Sequence, residues 1–207
     1  MGPHSLTNAS GFRSIRRIRQ PAVEPVSVGE VKTHLGISPD VAEHDAYLAG
    51  LISAARIAAE SRLNMTLVET QWQAVRAGWW YCSCEGVEMP YPPLLVDQDH
   101  PIEVRYRDRQ GAVAFVDDDK IVADADEFPG RLRVLQSMVG GCCESVATVT
   151  WWAGVVNPSD VPSPIRTAIL RMVARMFGNR GDTADDVLTN DAAVSHLLAA
   201  CSWGGRY

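Results

Sequence analysis

Four of the five cysteines come in two close pairs, Cys82-x-Cys84 and Cys142-Cys143, with Cys201 alone near the C-terminus. Four thiolates could in principle hold one zinc ion. Structural zinc, however, is usually held by Cys-x-x-Cys knuckles, whose spacing lets two sulfurs reach one metal, and neither pair has it. The expectation is therefore small, partly buried thiols and no metal. A cysteine nucleophile would need a histidine base close in space. His34, His44, His100 and His196 stand in no recognisable catalytic signature. The phosphate loop, Gly-x-Gly-x-x-Gly, His-Glu-x-x-His and Gly-x-Ser-x-Gly are all missing from the sequence. No catalytic residue and no cofactor are expected.

Charge offers other chemistry. Residues 1–20 carry Arg13, Arg16, Arg17 and Arg19 and no acid. These arginines suit contact with phosphate or with an acidic protein surface, against the plainer reading of a solvated arm. Phe12, Ile15 and Ile18 recur among them at a spacing of three, which hints at ordering against a partner. Residues 117–127 hold Asp117, Asp118, Asp119, Asp124, Asp126 and Glu127 against Lys120 alone. That run reads as a solvated loop, since the spacing and closing glutamate of an EF-hand are absent. The formal net charge of −6 argues against a protein that simply coats nucleic acid. Trp79-Trp80-Tyr81 and Trp151-Trp152 are read as core or interface. At the C-terminus, Trp203, Gly204, Gly205, Arg206 and Tyr207 combine residue types enriched at interface hot spots with two glycines that permit close backbone approach.

The elements that must position these groups follow from capping and periodicity. Residues 1–25 read as a flexible basic arm ending at Pro21 and Pro25. Ser27 and Glu30 form a capping box ahead of Val28, Val31 and Leu35, and Gly36 suits a left-handed stop. Ser38-Pro39-Asp40 opens a longer, alanine-rich helix over roughly 41–63, with Asn64 as its stop. Alternation at 66–76, at 102–107 and at 113–116 gives strands, the last two joined as a hairpin through Gly111. Pro129-Gly130 marks a turn, and 146–152 has the strongest β propensity. Helix returns with Ser163 as its cap, Pro164 in the first helical position and Ile165, Ile169, Met172, Val173, Met176 and Phe177 on one face. A polar loop (180–190) precedes a last helix near 191–201.

This order predicts an α+β fold: a bundle of N- and C-terminal helices (26–64 and 161–201) with a β-rich insertion at about 65–155. The arm (1–25) and a docking tail (202–207) flank a single domain, 26–201. No apolar run approaches the roughly 18 residues of a membrane-spanning helix, and no signal-peptide stretch is seen, so folding in a cytoplasm is expected.

Taken in order, nine segments carry a resemblance. They are 26–35 (VSVGEVKTHL), Asp45 with 48–55 (LAGLISAA), 70–72 (TQW), 91–94 (YPPL), 102–108 (IEVRYRD), 129–131 (PGR), 149–154 (VTWWAG), 161–169 (VPSPIRTAI) and 203–206 (WGGR). Their order and spacing resemble the head-tail connector (adaptor) family of tailed phages and related gene-transfer agents, over roughly 26–206. The stretch 81–86 and the arm 1–20 stand outside it. The resemblance implies a structural, non-enzymatic virion protein of the neck, assembled in the host cytoplasm as a ring of about twelve copies. It implies docking on the portal protein through the C-terminal part, residues Trp203 to Tyr207, and a platform for a neck, stopper or tail-completion protein. DNA would pass through the channel without specific binding, which suits a net-negative subunit. Two other functions fit less of the sequence: another neck or tail-completion protein, and a DNA-binding packaging factor that uses the arginine arm.

Overall fold

Ser27 closes both halves of its capping box: its hydroxyl accepts the Glu30 N–H, and the Glu30 carboxylate accepts the Ser27 N–H at 2.8 Å. The helix so started, α1, spans Val28–Leu35 and ends at Gly36, whose φ of 70° is the left-handed stop that a glycine allows at no steric cost. The structure is a computed structural model and describes residues 11–77, 86–107, 110–135, 146–179 and 191–201. In chain order its strands are β1 (Phe12–Arg19), β2 (Thr70–Ala77), β3 (Val87–Glu88), β4 (Leu94–Leu95), β5 (Glu103–Arg107), β6 (Val113–Phe115), β7 (Ile121–Asp124), β8 (Arg131–Val134) and β9 (Val146–Ala153). With α1, the helices are α2 (Asp45–Leu63), α3 (Ser163–Gly178) and α4 (Ala192–Ala199).

The chain divides into two units, one of Met1–Pro21 with Glu69–Gly154 and one of Ala22–Val68 with Val155–Tyr207. The second unit is helical. Its core takes Val31 from α1, Leu48, Ile52, Ala55 and Ala59 from α2, Ile165, Ile169, Met172 and Val173 from α3, and Val194 and Leu198 from α4. These are i, i+3, i+4 and i+7 positions, the stripe that a helix must bury. Asn64, in the left-handed region at φ 52°, ends α2. At α4 the Asp191 carboxylate caps the helix by accepting from the N–H groups of Ala193 and Val194. Val68 and Val155 form a parallel bridge, and the Val155 N–H donates to Leu67 O, so the two passages of the chain out of the helical unit run side by side.

The first unit is β. Its main sheet runs β1-β2-β9-β5-β6, with β4 also on β9, and a second sheet runs β3-β8-β7; all the strand pairs are antiparallel. Phe12, Trp72, Ala74, Val104, Val149 and Trp151 of the main sheet share one apolar cluster with Val87, Leu132 and Val134 of the second. Gly130 is fixed by that packing, for a Cβ there would come within 2.6 Å of the Leu94 Cβ.

Four expectations are corrected. Residues 12–19 are not a flexible arm but a strand, because β2 supplies a hydrogen-bonding partner that local sequence does not reveal. The β unit is accordingly more than an insertion: the sequence reading set it at 65–155, and the structure takes Glu69–Gly154 and adds the N-terminal strand. The acidic run 117–127 is not all loop, since Asp118–Lys120 form a single 3-10 turn and Ile121–Asp124 pair with β8. The longer helix begins at Asp45 and not at 41, preceded by turns.

Candidate interaction surfaces

The four predicted arginines sit on one edge strand. Arg16 and Arg17 pair across to Gln73 and Trp72, and a register shift then sets Arg19 opposite Gln71. Such a shift inserts an extra residue, here Ile18, and so returns Arg19 to the face that Arg16 occupies. On that face Arg16 Nε donates to the Gln73 side-chain oxygen at 3.1 Å, and Gln73 in turn donates to Thr150 Oγ1. The Arg19 guanidinium lies over the Trp152 ring at 5.3 Å. On the opposite face Arg17 lies over Trp72 at 4.8 Å, and Trp72 stacks on Tyr91 at 4.4 Å. Planar guanidinium on an indole face is a favourable cation–π geometry that fixes the side chain without neutralising it. Arg13, Arg16 and Arg19 are exposed, and among the described residues none of the three pairs with a carboxylate. The edge is an ordered, positively charged strip.

The other end of the same sheet is more apolar and mixed in charge. Val113 and Phe115 of β6 are 52% and 58% exposed. After the buried Val116 come Asp117, Asp118 and Asp119, all exposed. Asp117 pairs with Lys120, and this hydrogen bond, opposed by burial and helped by the charges of Asp117 and Asp119, holds the Lys120 ammonium above its ordinary pKa. Two aspartates of the turn are left over, while Arg105 and Arg107 of β5 stand opposite Phe115 and Val113, so this end carries both signs of charge.

In the helical unit α2 reverses the usual pattern. From Ala46 to Ser61 its exposed residues are Ala46, Tyr47, Ala49, Gly50, Ala54, Ile57 and Ser61, none of them charged. The two charged residues of that stretch, Arg56 and Glu60, turn inward, and Arg62 beyond it is exposed. Arg56 is 1% exposed and donates to Glu24 at 2.7 Å and to Glu60 at 2.8 Å, while the other Glu60 oxygen accepts the Leu67 N–H. A helix that hides its ions and shows alanine, glycine and isoleucine presents a surface that another chain can approach closely.

His100 was not singled out by motif, yet it has the most elaborate surroundings of the described histidines. It is buried, with Nδ1 2.7 Å from Asp97 Oδ1, Nε2 3.4 Å from Glu69 Oε1 and its ring edge-on to Trp152 at 5.2 Å. Burial would raise the Asp97 carboxyl, but hydrogen bonds from the His100 ring and from the N–H groups of Asp99 and His100 outweigh it and hold the group below the usual carboxylate range. No serine, threonine or cysteine appears among these contacts, so the arrangement pins the 96–101 loop and offers no nucleophile. Only the approach of Glu69 and His100 across sequence makes the site, and no local pattern marks that. Cys82, Cys84, Cys142 and Cys143 lie outside the described residues, as do Trp203, Gly204, Gly205, Arg206 and Tyr207.

Residues 25–88 match the family model described as Phage gp6-like head-tail connector protein. No curated protein matches in sequence. Among solved structures, a chain of the "Virion of native gene transfer agent (GTA) particle" is similar with a TM-score of 0.69 and 20% identity, over 93% of this chain and 99% of that one. A chain of the "Neck of empty GTA particle computed with C6 symmetry" gives 0.67 and 18%, over 94% of this chain and 100% of that one. A chain of the "Neck of native GTA particle computed with C12 symmetry" gives 0.64 and 17%, over 94% and 100%.

These findings support a head-tail connector family for the chain. At such identities the structural likeness is one of fold, and it extends over both units of the chain. The family match itself runs from α1 through α2 and β2 to β3, and so includes the uncharged face of α2 and the Arg56–Glu60 pair. Strands β1 and β6 lie outside it.

Proposed function

We propose that the protein is a non-enzymatic connector subunit that assembles as a ring beneath the portal of a phage-like particle and joins the DNA-filled head to the neck and tail. The observation that carries this reading is the likeness in fold to neck chains over almost the full length of both partners, joined to the family match over 25–88. One of those necks was computed with C12 symmetry, which favours a ring of that order. The uncharged outer face of α2 suits contact with a neighbouring protein, and the net charge of −6 suits a channel wall from which DNA is repelled. Residues Trp203 to Tyr207 are assigned to portal docking. Neither cofactor nor metal enters the function.

The test is direct: the protein is purified, mixed with its portal and imaged at low resolution. A ring seated on the portal is expected. A chain that stays monomeric both alone and with the portal refutes the reading, and one that binds only the tail tube is a tail-completion protein instead. Tight, salt-dependent DNA binding that is lost on removing residues 1–20 would mark a packaging factor.

A further inference from the structure

We propose that the outer edge of β1 docks an extended acidic segment of another protein, which adds to the main sheet as one more strand with its carboxylates on Arg13, Arg16 and Arg19. The contact belongs to a single subunit, so it stands or falls apart from the ring.

Among the described residues β1 pairs with β2 alone, at one end of the path β1-β2-β9-β5-β6. An edge strand of this kind offers main-chain N–H and C=O groups to a further strand. Between the two register shifts, Ser14 to Arg17 pair residue for residue with Val75 to Trp72. That window is regular enough to take an added strand, and the shifts at either end keep it short, which discourages indiscriminate sheet growth. The arginines fit the same geometry. Arg16 and Arg19 stand opposite Gln73 and Gln71, two residues apart on β2. Two residues of strand rise are roughly 7 Å, the interval at which one face of an extended peptide repeats its side chains. Arg16 is held by Gln73 and Arg19 by the Trp152 ring, so both guanidinium groups are aimed before a partner arrives.

Charge and side-chain type choose the occupant. Residues 12–19 hold four arginines and no acid. Of the neighbouring carboxylates, Glu69 and Asp97 are turned to His100. Glu103 lies on β5, three strands from β1, and Arg105 follows it on the same strand. The edge therefore keeps its positive sign and calls for an anion. Ile18, 41% exposed at the second register shift, decides which kind. An apolar side chain among the arginines gains nothing from a phosphate backbone but can be covered by an apolar residue of a peptide. The net charge of −6 also opposes the approach of duplex DNA. The β1 edge of a second copy is repelled by like charge. A strand that alternates acidic and apolar residues meets the backbone, the arginines and Ile18 together.

The probe is a short fluorescent peptide that alternates glutamate with valine, titrated against the full chain by anisotropy and located by amide hydrogen exchange. The wild-type protein should bind it, more weakly as salt rises, with new protection of the amides of Ser14 to Arg17. The variant Arg13→Gln, Arg16→Gln, Arg19→Gln keeps long polar side chains and should raise the Kd about tenfold. A probe methylated on alternate backbone nitrogens cannot donate to the sheet and should not protect Ser14 to Arg17. If circular dichroism shows the variant misfolded, the wild-type exchange map and the methylated probe decide. No binding of the probe, binding without protection of these amides, equal protection by the methylated probe, or a folded variant that binds as wild type overturns strand addition. So does a duplex DNA of arbitrary sequence that binds as tightly as the probe and is lost in the variant, for the edge is then a phosphate site.

Discussion

Arg56 is the most deeply buried cation among the described residues of the helical unit. It is a buried cation whose two carboxylates come from different places in the chain, Glu24 ahead of α1 and Glu60 one turn along α2. Through Glu60 it also steadies the Leu67 N–H, where the chain leaves the unit. Removing one partner of a buried pair leaves the other charge without compensation, at roughly 3–5 kcal/mol. Arg56→Ala should therefore lower unfolding stability by about that much in urea titration, whereas Arg56→Met combined with Glu60→Gln, which keeps an acceptor for Leu67, should lose clearly less. At the His100 site the effect depends on pH. The Asp97 carboxyl is depressed in the folded chain, so its contribution is present above its unfolded pKa, about 3.9, and is lost as pH falls through the lower folded value. Asp97→Asn should be less stable than wild type near neutrality, with the gap closing below about pH 4 in thermal midpoints taken across pH. Neither network was legible in the sequence. Arg56 and Glu60 look like any solvated i, i+4 pair until the fold turns them inward, and His100 gains its meaning from Glu69, which is distant in sequence.

Among the elements, α1 and α3 could be read almost whole, because their signals are local. Ser27 and Glu30 start α1 and Gly36 stops it, while α3 follows the stripe that begins at Ile165. Ile169 is fully buried and Met172 nearly so. Ile169→Asp should thus bury an unpaired carboxylate and cost roughly 3 kcal/mol or more, with loss of soluble protein as the readout. β1 escaped for the opposite reason. Its arginines and serine give no alternation that favours a strand, and what makes it one is pairing with β2 and cation–π seating on Trp72 and Trp152. The strong propensity of 146–152 did locate β9, the strand that β2, β4 and β5 all join.

For the whole molecule, the sequence pattern anticipated helices, then strands, then helices, and the match over 25–88 with the neck-like fold supports a connector. Local signals could not show that the N-terminus returns to complete the sheet, since that depends on a partner strand some fifty residues away. The proposed docking role of residues 202–207 has a clear assay. Their removal should leave circular dichroism and solubility unchanged and yet yield filled heads without tails. If such heads still acquire tails, docking lies elsewhere; if the chain misfolds, Trp203 belongs to the core.

The bridge between Val68 and Val155 makes the helical unit detachable. Its apolar cluster draws only on residues that precede Glu69 or follow Gly154, and the two cut ends already lie side by side. A few glycines and serines in place of residues 69–154 would span that gap at little entropic cost. The shortened protein, beginning at Ala22, should give a helical spectrum and a cooperative melt. Such a splice point is one at which a lineage of such chains could exchange the β half for another while the helical half kept its own fold.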